Sequence, residues 1–412
     1  MKKINPFKPN SPVSTGMFAG RLKEIQLLGQ SLYQTKCGNP NNILVTGERG
    51  IGKSSLMMIL KDFASGARET LEHGKFEFLT INGMVSDTTD LVTLIKLIER
   101  NIKRELGKTE SMRKYLSTAW DFVKRIRVMD SGIEDCEIIN DPDLIIDEFV
   151  YSLAKTCKRI ADPENDEEGK DGILFILDEA DNASESLRLG YFFKAIIELL
   201  QQHGCSNVMF VVVGLPEITD KLLLSHESSL RIFNQVKVKE LNPVDRKRVV
   251  ELGLDEANKK NEEETSITED AKNHISTLSE GYPHFIQQFS YSAFDFNTDG
   301  EISADDVLSG AFNRGGAIDS IGTRYYAADY HSKIKSDEYR EVLSIMAESM
   351  NAWIKKNEIQ DKFPGSNQTL TSALAALTKR KIILKNPSVK GEYRLQQKGF
   401  AIWIKLFGER AK

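Results

Sequence analysis

The sequence is poor in cysteine, and its four, Cys37, Cys136, Cys157 and Cys205, stand far apart with no Cys-x-x-Cys pair. This argues against a zinc site and against a disulfide framework, and it suits a reducing compartment, so a cytoplasmic protein is expected. Long apolar runs are also missing. The longest, ILFIL at 173–177 and VMFVVVGL at 208–215, fall well short of the roughly 20 residues of a membrane span and read as buried strands. No membrane partner is therefore expected. The opening MKKINPFKPN lacks the sustained apolar segment of a secretory signal and is interrupted by Pro6 and Pro9. No internal repeat or low-complexity tract stands out.

What is present is enough chain for more than one core. With 412 residues, 40% of them apolar, two or three domains are expected. The net charge of −5 is unevenly spread. From Trp353 to Lys412 there are 13 Lys and Arg against 4 Asp and Glu, a local surplus of +9.

Five apolar, β-rich runs alternate with helical patterns: NNILVTG (41–47), KFEFLTING (75–83), GILFILDE (172–179), NVMFVVVG (207–214) and QVKVKEL (235–241). Continuous rather than alternating apolar character means strands covered on both faces, and interleaved helices mean a parallel, three-layer α/β domain. It is expected over residues 1–241, with a helical insertion at about 86–160 and a polar linker, ADPENDEEGKD, at 161–171. Beyond it only helices are expected over 242–315, opening on Asn242 as N-cap and Pro243 at the first helical position. A third region, 330–412, has the helix–helix–helix–hairpin–helix order of a winged helix-turn-helix.

The run ILVT leads directly into Gly47-Glu48-Arg49-Gly50-Ile51-Gly52-Lys53-Ser54-Ser55, which satisfies Gly-x-x-x-x-Gly-Lys-Ser and is followed by a helical pattern. In such a loop successive N–H groups face phosphate, Lys53 reaches the β- and γ-phosphates and Ser54 ligates Mg²⁺. Asp178-Glu179 closes the apolar third run. A carboxylate emerging from a buried strand next to the loop strand can hold the Mg²⁺ water shell, and the following Glu179 can polarise an attacking water. Binding of ATP or ADP with Mg²⁺ is thus expected, and Glu179 favours hydrolysis.

At this point the chain resembles the AAA+ ATPases, in particular the initiator-type, origin-recognition-like members with a winged-helix C-terminus. The resemblance rests on Phe18-Ala19-Gly20-Arg21 followed by LKEIQLL, the phosphate loop, LDEAD at 177–181, SSLRIF at 228–233 and GYPHFIQ at 281–287. It implies a P-loop three-layer parallel-sheet AAA+ core, an all-α lid and a C-terminal winged helix. It also implies that Pro12–Arg21, including Phe18, Gly20 and Arg21, wraps the adenine side. Arg231 is placed as the arginine that one subunit supplies to its neighbour's γ-phosphate, alongside the competing reading of an arginine in a local salt bridge. LDEAD is shared with the DEAD-box helicases, but no second parallel sheet follows here.

Two departures bear on turnover. The polar side chain usual at the end of the fourth strand is replaced by Gly214-Leu215, and the lid motif Gly281-Tyr282-Pro283-His284 has His284 where the family places an arginine. Gly-x-Pro resembles the STAND switch ATPases, with Pro283 and His284 as nucleotide contacts; a histidine serving only the fold is the competing reading. Slow, assembly-dependent turnover by an oligomer is expected. A STAND-like switch that senses a protein partner is the alternative.

Two further patterns each admit two readings. Asp295, Asn297, Asp299, Gly300 and Ile302 follow an EF-hand spacing, but Asp306 stands where a bidentate Glu belongs and is also spaced to form a capping box with Ser303. In 366–380, Leu370, Leu374 and Leu377 share a stripe and leave Asn367, Gln368, Thr371, Ser372, Lys379 and Arg380 outward. Such a face can enter a DNA major groove, with Lys385, Lys390 and Arg394 near phosphates, or the module can dock protein.

Overall fold

A computed structural model describes residues 3–11, 18–126, 139–162, 169–334, 336–350, 352–380, 382–386 and 388–408; Cys136, Pro12 and most of the acidic linker lie outside them. The chain divides into two compact units, Arg21–Lys239 and a second in which Met1–Gly20 joins Glu240–Lys412.

The first unit opens with α1 (Leu22–Lys36), β1 (Ile43–Thr46), α2 (Lys53–Ala64) and β2 (Phe78–Met84). The insertion follows as α3 (Leu91–Leu106), α4 (Glu110–Ala119), α5 (Phe122–Arg125) and α6 (Pro142–Ala161). Then come β3 (Gly172–Asp178), α7 (Leu189–Gln202), β4 (Val208–Gly214), α8 (Ile218–Ser225) and β5 (Asn234–Lys237). The strands form one sheet in the order β2-β3-β4-β1-β5, every pairing parallel. All of β1 and β4 is buried, as is β3 up to Leu177, because helices cover both faces. The insertion packs as part of this core: Trp120 is fully buried and its indole N–H donates to Thr156 Oγ1 at 3.0 Å.

Three expectations are corrected. The second strand starts at Phe78 rather than 75, because the Asp171 carboxylate accepts the Glu77 N–H at 2.7 Å and occupies the place of a ladder partner. The fifth strand is Asn234–Lys237 rather than 235–241, an edge strand exposed along most of its length. β4 lies between β1 and β3, so the carboxylates that close β3 are one strand removed from the loop strand instead of beside it.

The second unit carries α9 (Pro243–Asn258), β6 (Ser266–Ile267), α10 (Glu269–Leu278), α11 (Pro283–Phe296), β7 (Glu301–Ile302), α12 (Ala304–Phe312) and α13 (Ala317–Tyr325). A π-helical turn over Ala328–Lys333 leads to α14 (Asp337–Glu348), β8 (Ile354–Lys355), α15 (Lys356–Lys362), α16 (Asn367–Lys379), β9 (Ile383–Lys385), β10 (Glu392–Leu395) and α17 (Lys398–Phe407). The side chain of Asn242 accepts the Asp245 N–H at 2.9 Å, so α9 is capped as expected. The short parallel pair β6-β7 departs from the helices-only expectation for 242–315, and the winged helix has a three-stranded sheet, β8-β10-β9, one strand more than the expected hairpin. α13 follows Gly315-Gly316, a pair that reads as a break; it is held by burial of Ala317, Ile318, Ile321 and Gly322.

The EF-hand-like stretch is a turn with a cap. Ser303 Oγ accepts the Asp306 N–H at 3.2 Å and Asp306 Oδ2 accepts the Ser303 N–H at 2.8 Å, a reciprocal box that opens α12. Asn297 Oδ1 accepts the Gly300 N–H and Asp299 Oδ1 the Glu301 N–H, so the turn's own backbone occupies these oxygens. Phe7, 2% exposed, packs edge-on against Phe294 and anchors the N-terminal segment to α11.

Candidate functional site

In the first unit the loop after β1 curls around the N-terminus of α2. Gly50 and Gly52 take φ of 75° and 97°, values that a side chain would resist, and Gly52 caps α2 with no side chain between its N-terminus and the loop's concave side. The positive end of a 12-residue helix therefore opens on the loop. Ile51 is buried as the loop's anchor, Glu48 and Ser55 are half-buried, and Arg49 and Ser54 are exposed. The Lys53 ammonium donates to the carbonyls of Gly47 at 2.6 Å and Glu48 at 3.0 Å. Burial holds it below the usual lysine range, while Asp178, Asp181 and Glu48 act in the opposite direction and Arg49 adds to the depression.

Asp178 ends β3 half-exposed, and its Oδ1 accepts the Glu179 N–H at 2.8 Å. Glu179 is exposed and sits in left-handed backbone at φ 54°, a strained conformation of the kind found at functional sites. Its Oε2 accepts from Asn182 Nδ2 at 3.3 Å. The hydroxyl of Ser54 and the carboxylate of Asp178 are hard oxygen donors near a polyanion cradle, a set that fits Mg²⁺.

Arg21 is placed differently from its sequence neighbours. Its side chain, 7% exposed, pairs with Glu24 at 3.7 Å and donates from Nη2 to the Ile51 carbonyl at 3.1 Å, so it braces the loop against α1. Neither that brace nor Asp181 was legible as a contact in the sequence; the signal available was that both belong to the motifs FAGR and LDEAD. Arg231 lies in the 3₁₀ turn Ser229–Ile232 just before β5 and is exposed.

The remaining candidates belong to the second unit. Phe18 and Gly20 are half-buried, and a Cβ on Gly20 would meet Asp245 Oδ2 at 2.6 Å. Pro283 begins α11. The His284 ring packs on Tyr325 at 5.0 Å and on Phe285, and burial, aided by Arg324, pushes its pKa down to about 4. It is thus neutral at pH 7, able to hydrogen-bond but not to supply charge. On the winged helix, Asn367, Gln368, Thr371, Ser372, Lys379, Arg380, Lys385 and Lys390 are exposed, and the Arg394 guanidinium stacks over Trp353 at 4.8 Å. Among the described residues, no helix is long and apolar enough to cross a membrane.

Sheet order, phosphate loop, helical lid and winged helix together define an AAA+ fold. The Aeropyrum pernix ORC2 protein, solved as ADPNP and ADP complexes, matches it with a TM-score of 0.55 at 13% identity, over 99% of this chain and 98% of that one. The Cdc6p of Pyrobaculum aerophilum matches with a TM-score of 0.40 at 13% identity, covering 99% and 98%. The Aeropyrum pernix ORC1 protein in complex with DNA does so at 0.43 and 15%, covering 97% and 94%. No protein-family model matches the chain, and no curated protein is detectably similar to it in sequence.

Proposed function

We propose that this chain is an AAA+ ATPase that binds Mg-ATP, hydrolyses it slowly when assembled, and couples nucleotide state to DNA binding through its winged helix. The observation that carries the reading is the convergence on Lys53 of the loop carbonyls and of the Asp178 field, with Glu179 exposed beside Asp178. The nucleotide complexes of the Aeropyrum pernix ORC2 protein, whose fold this chain shares, support it. Ser54 and Asp178 would hold Mg²⁺, which would supply charge neutralisation to the phosphates. Glu179 orients the attacking water. The loop N–H groups and Lys53 hold the phosphates, and an exposed Arg231 is free to reach a neighbouring copy.

DNA is proposed for residues 353–412, where the exposed polar face of α16 sits beside a surplus of +9. Such binding should weaken steeply with salt. Lys53→Ala should abolish retention of a fluorescent ATP analogue; unchanged affinity would refute the reading.

A second reading, a STAND-like switch that answers to a protein partner with little turnover, is favoured by the neutral His284 and by Gly214 at the end of β4. Glu179→Gln separates the two. An ATPase should accumulate as a DNA-bound oligomer with ATP, whereas a switch of negligible turnover should respond as the parent does.

A further inference from the structure

β4 ends on Gly214, which has no side chain, yet the position is not without a polar group. Asp181, in the 3₁₀ turn Ala180–Asn182 that follows β3, accepts the Leu215 N–H on Oδ1 at 2.9 Å. A Cβ on Gly214 would stand 2.9 Å from the same Oδ1 and 3.2 Å from the Asp181 N, so a glycine there is what lets the carboxylate approach. The turn is held on its far side as well: Lys221 of α8 donates to the Ala183 carbonyl at 2.7 Å. Asp181 is half-buried, and its charge is felt at Lys53.

We propose that Asp181 is a positioning residue of the nucleotide site, delivered from the turn after β3 to do what a polar side chain at the end of β4 would otherwise do. This rests on the nucleotide-site reading of the loop and Asp178. Through the Leu215 N–H, Asp181 fixes the end of β4 against the strand that carries Asp178. The arrangement makes Gly214 and Asp181 a pair: a Cβ at 214 would crowd the carboxylate out of its present place.

The carboxylate and its charge can be separated. Asp181→Asn keeps an acceptor for the Leu215 N–H and removes the charge, whereas Asp181→Ala removes both. With Mg²⁺ and a fluorescent ATP analogue, both variants should bind within a few-fold of the parent, or more tightly, since a negative charge near the phosphates is gone. Turnover should fall about tenfold in Asp181→Ala, a loss of about 1.4 kcal/mol of transition-state stabilisation, and Asp181→Asn should recover most of it. Asp181→Ala with the turnover of the parent, or Asp181→Asn no better than Asp181→Ala, overturns the inference while leaving the nucleotide site standing. A parent that neither binds nor hydrolyses ATP overturns both. If Asp181→Ala does not fold, the near-isosteric Asp181→Leu, which also lacks the acceptor, takes its place.

Discussion

The carboxylate of Glu280 accepts the backbone N–H of Gly399 at 3.0 Å, joining the residue just before the lid's Gly281-Tyr282-Pro283 to the first turn of the last helix, 119 positions away. Helix α17 has no cap of its own: Gln397, in the N-cap position, spends its side-chain oxygen on the buried Tyr326 hydroxyl at 2.7 Å. The lid therefore supplies the acceptor that the winged helix lacks. Burial raises the Glu280 pKa, the backbone donors at 398 and 399 working against that.

Glu280→Ala should destabilise the second unit by about 1 kcal/mol, the usual cost of a lost helix cap. Glu280→Gln, which retains an acceptor and removes a buried charge, should match or exceed the parent at neutral pH. Thermal melts of the three proteins give the order directly; an Ala variant that melts with the parent contradicts the cap.

His284 makes stability depend on pH. Its folded-state pKa of about 4 lies below the ordinary 6.5, so the unfolded chain takes up the proton first. Stability from keeping this ring neutral is present above pH 6.5 and is lost as pH falls toward 4. Discounted for partial exposure, the loss is about 2 kcal/mol. Denaturant titrations from pH 7 to 4, roughly the window between the two values, should show a smaller drop for His284→Phe than for the parent. Parallel curves would exclude His284 as the source.

Arg21 is expected to matter for nucleotide affinity through the loop it braces. Arg21→Ala frees the Ile51 carbonyl from its donor and should weaken binding of an ATP analogue about tenfold, or 1.4 kcal/mol. Arg21→Lys, which retains the charge toward Glu24 but not the fork, should recover only part of it. Titration by fluorescence anisotropy reads this; wild-type affinity in the Ala variant would show that the brace is dispensable.

The capping box predicts what calcium does. Asp306→Ala should lower the melting temperature through a loss of about 1 kcal/mol, because Ser303 N–H and Oγ both lose the Oδ2 acceptor. Millimolar Ca²⁺ should leave the parent's melting temperature unchanged, and a calcium-dependent rise would restore the ligand-loop reading.

Legibility followed periodicity. The buried β3 and β4 and the Asn242–Pro243 start of α9 could be read because each is set by residues adjacent in the chain. α13 could not, because its start is Gly315-Gly316 and its helicity is decided by packing of Ile318, Ile321 and Gly322. The same division runs through the site: Lys53, Ser54, Asp178 and Glu179 stand in local motifs, whereas the brace from Arg21 to Ile51 spans 30 positions and the one from Asp181 to Leu215 spans 34.

By itself the amino-acid sequence determined which residues are candidates for phosphate and magnesium chemistry, since glycine at 47, 50 and 52, lysine at 53 and acids at 178 and 179 are local facts of residue type and spacing. Only the tertiary structure decided that β4 separates the two motif strands, that the end of β4 takes its polar group from Asp181, and that Glu280 caps a helix 119 residues away. These are meetings between segments distant along the chain, settled by how apolar faces pack and how buried donors find acceptors, and no short window of sequence contains both partners.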